Sequence, residues 1–130
     1  MAHIIYKELS YQVWGILLKA HKELGPYVSE KQVCDKIEHY LKLEGLPYSR
    51  EYIIPVSFEG EHPGRNKADF LVTDKIILEI KTTRNLTPQD YYQMQRYLKA
   101  TNKKLGILVN FRDRYLKPKR ILNSSAKEED

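Results

Sequence analysis

The chain has 130 residues, one cysteine and a formal net charge of +5. That length suits one domain with a core of its own, and a lone Cys34 excludes an internal disulfide and suits a reducing compartment, so the chain reads as cytoplasmic. No apolar run approaches the roughly 18 residues of a membrane span, and the start, MAHIIYKELS, lacks the basic-then-apolar pattern of a signal peptide.

Ser10 can cap a helix over residues 11–24, with Val13, Trp14, Leu17, Leu18, His21 and Leu24 on one face and Gly25 as its stop. His21 on that face is a core residue before it is a functional one. Ser29 to Gln32 matches a capping box and opens a second helix, 30–44, with Val33, Cys34, Ile37, Tyr40 and Leu41 inward. Glu30 falls in its first turn, where the helix dipole favours a negative charge. Tyr48 to Phe58 is rich in strand formers, and Pro55 argues for an edge or a bulge. A Gly/Pro loop over 59–66 follows.

The next stretch, KADFLVTDKIILEIKTT (67–83), predicts two strands about a polar turn at Thr73-Asp74-Lys75. Side chains two apart share a strand face, so Glu79 and Lys81 project together. Hairpin pairing would bring Asp69 level with Glu79. Two carboxylates and an ammonium at one end of an apolar sheet are costly unless compensated. A divalent cation such as Mg²⁺ would compensate them; so would a structural ion pair of Lys81 with Glu79 or Asp69.

Thr87 as N-cap and Pro88 at N1 start a third helix running to Ala100, with Tyr91, Met94, Tyr97 and Leu98 on its inner face and Gln93 off it. Leu105 to Phe111 is an apolar strand, 112–119 a basic turn, and Ile121-Leu122 a last edge strand. The domain spans 1–122, and 123–130 reads as a frayed polar tail. Residues 84–120 carry a net charge of +8, which either binds a polyanion or is a solvated face. The order α-α-β-β-β-α-β-β predicts an α/β fold with a central mixed sheet flanked by helices.

The pattern Asp69-x9-Glu79-x-Lys81 on strand-turn-strand, followed by a helix and a strand, resembles the PD-(D/E)XK nuclease superfamily. Further stretches resemble its GxxExxY family over residues 5–122: HKELG (21–25), GPYVSE (25–30), ADFLV (68–72), ILEIK (77–81), Gln93 four residues before YLKA, and GILVNF (106–111). Val33 stands where the family name has tyrosine, and Ala68 where the superfamily has proline. The resemblance implies a restriction-endonuclease-like α-β-β-β-α-β core. It implies Asp69 and Glu79 as metal ligands with Glu30 nearby, Lys81 steadying the attacking water or the phosphate, and Gln93 as a polar residue at the site.

The expected function is metal-dependent hydrolysis of DNA or RNA phosphodiesters, with Mg²⁺ or Mn²⁺ as cofactor and Arg112, Arg114, Lys117, Lys119 and Arg120 holding phosphates. The alternative is a nucleic-acid-binding module of the same fold that does no chemistry. One site cuts one strand, so a double-strand cut would favour a homodimer.

Overall fold

A computed structural model of the chain describes residues 3–129. Met1 and Ala2, which begin the stretch read as unlike a signal peptide, and Asp130, the last residue of the expected tail, lie outside them. The elements are α1 (Lys7–Leu24), α2 (Glu30–Leu43), β1 (Tyr48–Ile53), β2 (Lys67–Val72), β3 (Ile76–Lys81), α3 (Pro88–Thr101), β4 (Leu105–Asn110) and β5 (Lys119–Leu122), in the expected order. Among the described residues no helix is long and apolar enough to cross a membrane.

Local chemistry accounts for most boundaries. Ser29 Oγ accepts from the Gln32 N–H at 3.2 Å while Gln32 Oε1 accepts from the Ser29 N–H at 3.0 Å, which starts α2. Thr87 N–H donates to Asp90 Oδ2 at 2.8 Å, and Pro88 follows, which starts α3. Thr73 and Asp74 both have left-handed φ, 52° and 58°. That is the twist a tight hairpin turn needs, and β2 and β3 pair antiparallel about it. β1 stops at Ile53, well short of the expected Phe58, because Pro55 has no N–H to continue the ladder.

The strands lie in the order β1-β2-β3-β4-β5. All neighbours are antiparallel except β3 and β4, which run parallel and are joined over the sheet by α3. α1 and α2 pack on one face, around Ile37, Leu41, Phe70, Leu78, Ile80 and Val109. α3 packs on the other, around Met94, Leu98, Ile77, Leu108 and Ile121. Every residue of β4, the strand beneath both layers, is buried.

Three expectations need correction. α1 begins four residues before the predicted start and turns a different side inward: Ser10, Val13, Ile16, Leu17 and Ala20 are buried, whereas Trp14 and Leu18 are exposed. Ser10 is no cap; its Oγ donates to the Lys7 carbonyl inside the helix. The helix is held at its start by the far end of the chain, where Glu128 Oε2 accepts the Tyr6 N–H at 2.8 Å. Residues 123–129, expected to fray, lie against the body. Asn123 is buried and its amide donates to the carbonyls of Leu98 and Lys103, Ala126 is buried, and the Glu129 N–H donates to the Tyr6 hydroxyl. Lys119, placed in the basic turn by the sequence, belongs to β5.

Gly106 lets α3 approach β4: a Cβ there would lie far inside contact distance of Met94 Sδ. Gly106→Ala should therefore cost about 1–3 kcal/mol through overpacking. In a Met94→Ala background the same change should cost much less, a coupling readable from denaturant titration of the four proteins in a double-mutant cycle.

Candidate active site

Glu79 and Lys81 leave β3 on the α3 side of the sheet, as their spacing predicts. Across the ladder, β2 and β3 pair regularly from Val72↔Ile76 to Phe70↔Leu78 and no further. At the next position the carboxylates take over. The Asp69 N–H donates to Glu79 Oε1 and the Ile80 N–H donates to Asp69 Oδ2, both at 2.7 Å. The strands part there without leaving a backbone donor unsatisfied, and the two carboxylates share the opening.

Glu79 is 6% exposed, and Asp69 is half-buried. Burial first, then the charge of Glu79, pushes the Asp69 carboxyl up to about 8. Burial pushes Glu79 up to about 7 against the pull of Lys81. Lys81 Nζ stands 3.6 Å from Glu79 Oε2 and 3.8 Å from Asp90 Oδ1, and donates to Gln93 Oε1 at 3.3 Å. One ammonium thus faces two carboxylates, Glu79 and Asp90.

Glu30 begins α2 and is itself exposed, yet it lines a concavity of about 430 Å³ together with Cys34, Arg50 and Asp69. Its charge contributes to the rise at both Asp69 and Glu79. The structure therefore brings Asp69, Glu79, Lys81, Gln93 and Glu30 to one place. It does not gather all five basic residues. Arg112 lies over the Tyr27 ring at 5.3 Å and Arg114 over Tyr115 at 5.4 Å; their loop meets the end of α1, where His21 Nε2 is 2.8 Å from the Asp113 carbonyl. Arg120 is spent on the Ile5 carbonyl at 2.6 Å, ahead of the start of that helix. Lys117 and Lys119 are exposed.

Two contributors escaped the sequence reading. Asp90 lies one turn before Gln93 and so reaches Lys81 from the same helix face. Asn110 is 2% exposed and ties the end of β4 to the chain just past Lys81. Its Oδ1 accepts from the Thr83 N–H at 3.1 Å and its Nδ2 donates to the Thr83 carbonyl at 2.8 Å.

Hard oxygen donors that are buried, close together and short of positive charge fit a divalent cation of the Mg²⁺ or Mn²⁺ type. Among the described residues no three His, Cys, Asp or Glu side chains converge tightly enough to hold an ion unaided. Asp69 and Glu79 would hold it, with phosphate oxygens and water completing its shell.

A family model described as the PD-(D/E)XK nuclease superfamily matches residues 7–121. The crystal structure of an alkaline exonuclease (LHK-Exo) from Laribacter hongkongensis is similar, with a TM-score of 0.50 at 18% identity over 68% of this chain. The chain spans about half, 53%, of that exonuclease's length. The likeness shows the fold: a five-stranded mixed sheet flanked by helices, of the restriction-endonuclease-like class. No curated protein matches the chain.

The raised carboxyls set a pH dependence. Both are raised on folding, so the fold favours their protonated forms. The stability they contribute is complete below the ordinary carboxylate range and is lost as pH climbs from about 4 to about 8. Carboxyls held low by hydrogen bonds, such as Glu38 and Glu61, act below that window. With a chelator present, wild-type Tm should fall by several degrees more than that of Asp69→Asn/Glu79→Gln across the window. Parallel curves would mean that the pair is not strained in the folded state.

Proposed function

The chain belongs to the PD-(D/E)XK nuclease superfamily, and from that premise we propose that it hydrolyses phosphodiester bonds of DNA or RNA with Mg²⁺ or Mn²⁺ as cofactor. One observation carries the reading: the Asp69 and Glu79 carboxylates sit together at the opening of two strands, both raised by burial, with Lys81 beside Glu79. A purely structural ion pair would need one carboxylate for one ammonium. The stretches 21–30, 68–72 and 77–81 support a finer placement in the GxxExxY family.

When bound, the cation would polarise a phosphoryl oxygen and lower the pKa of the attacking water. The protein's own groups do the rest. Asp69 and Glu79 are fixed by their bonds to backbone N–H groups, so no reorganisation is needed when charge shifts. Water adds to phosphorus and gives up a proton to solvent, the ester P–O bond breaks, and the leaving oxygen takes a proton from solvent. Lys81, steadied by Gln93 and Asp90, bears against the negative charge that grows on the phosphoryl oxygens. Glu30 extends the acidic wall beside Asp69. Arg112, Arg114, Lys117 and Lys119 would hold phosphates along the substrate, which gives affinity and little sequence choice. Arg120, already donating to a backbone carbonyl, contributes least.

Cleavage of a panel of DNA and RNA forms with Mn²⁺ tests the reading. Asp69→Asn and Glu79→Gln should lose metal affinity and with it detectable cleavage. Lys81→Ala should keep metal affinity, measured calorimetrically, while its rate falls roughly 10²–10³-fold. If wild-type protein binds Mn²⁺ and nucleic acid but cleaves nothing, the chain is a binding module of this fold.

Basic-residue substitutions should also separate. Arg112→Ala should weaken binding to every sequence alike and reduce its salt dependence, whereas Arg120→Ala should leave both near wild type. Fluorescence anisotropy across a salt series reads both.

A further inference from the structure

The outer face of α3 takes no part in the chemistry above. The inner face, Met94, Tyr97 and Leu98, is buried against the sheet. Outside, Tyr92, Arg96 and Lys99 follow one another at helical spacing and share a face. Between that face and the docked tail lies a concavity of about 450 Å³, walled by these three side chains, Leu122 and the Ser124-Ser125 pair. No carboxylate lines it. Among the described residues neither Arg96 nor Lys99 makes a salt bridge. Tyr92 is 59% exposed.

Tyr92 also lines a second hollow, of about 320 Å³, with Leu86, Thr87 and Pro88. That hollow reaches the first turn of α3, where Asp90 lies 3.8 Å from Lys81 Nζ. The two hollows make one track. It begins at the helix turn that carries Asp90 and runs on for about 10 Å from Tyr92 to Lys99, at 1.5 Å per helical residue.

We propose that this track binds a single nucleic-acid strand leading away from the scissile phosphate, with Tyr92 stacking a base and Arg96 and Lys99 holding phosphates. The proposal rests on the nuclease reading and adds a substrate form to it. An open aromatic ring between a catalytic cleft and two unpaired cations suits an unstacked strand, because every base has a face that can stack on it. A duplex would offer the cations its backbone and leave the ring nothing to stack against.

The test is fluorescence anisotropy of labelled oligonucleotides with the full chain and a chelator, so that nothing is cut. Tyr92→Ala and Arg96→Ala/Lys99→Ala should each weaken binding of a long single strand, the first by roughly five- to a hundred-fold. Both should leave binding of a duplex, and of an oligonucleotide short enough to fill only the cleft, at the wild-type level. Tyr92→Phe should bind like wild type, since the ring remains. The double variant should flatten the single-strand salt slope by about 1.4, the share of two phosphate contacts. All three positions are exposed, and an unchanged Tm confirms that the variants fold.

Wild-type affinity in every variant would overturn the track while leaving the nuclease reading intact, and would also be the result if a protein partner covered this face. An equal loss for duplex would overturn the single-strand assignment. Failure of the wild type to bind any nucleic acid would overturn track and nuclease reading together.

Discussion

The two hydrogen bonds that the Asp69 and Glu79 carboxylates accept from backbone N–H groups across the strand opening are the constraint on which the rest of the structure turns. A sheet can open between two strands only if the freed N–H groups find other acceptors. Here each carboxylate accepts from a backbone N–H of the opposite strand. The opening and the acidic pair are thus one feature: removing either side chain would orphan a donor as well as delete a charge. The same bonds that make the gap tolerable also hold two carboxyl groups where burial disfavours their charge, a tension that a bound cation would relieve.

Each group around the gap arrives on a different element. β2 brings Asp69, β3 brings Glu79 and Lys81, the first turn of α2 brings Glu30, and α3 brings Asp90 and Gln93. The parallel pairing of β3 with β4 places Lys81 opposite Asn110, whose side chain then closes the strand ends. Close packing of Met94 over Gly106 sets how near α3 lies to the sheet, and hence how Gln93 meets Lys81. No subset of these elements would make the site, and the same helices that bring its groups bury nearly the whole of the two central strands.

Features governed by neighbours in sequence were legible. The capping box at Ser29, the N-cap at Thr87, the polar turn at Thr73-Asp74-Lys75 and the two-residue period of Glu79 and Lys81 all act within a few residues. The face of α1 was not legible, because Val13, Trp14, Ile16, Leu17 and Leu18 crowd five apolar side chains into six positions and fit more than one helical phase. Tertiary packing chose the phase with Ser10 and Ala20 inward, where small residues let the helix lie close. Asp90 and Arg120 show the same limit in charged residues. The partner of each, Lys81 and the Ile5 carbonyl, depends on how distant elements meet.

The bond from Tyr6 to Glu128 has a consequence in time. The two residues are 122 positions apart, so the first helix leaves the ribosome long before the carboxylate that holds its start exists. At about 5–20 residues per second, the wait is roughly 6–24 s. During that interval α1 must rely on α2 and the early strands, with its leading amides open to water. The earliest helix of the chain is therefore the last to be completed, and a contact of such long range enters only once the body has condensed around it.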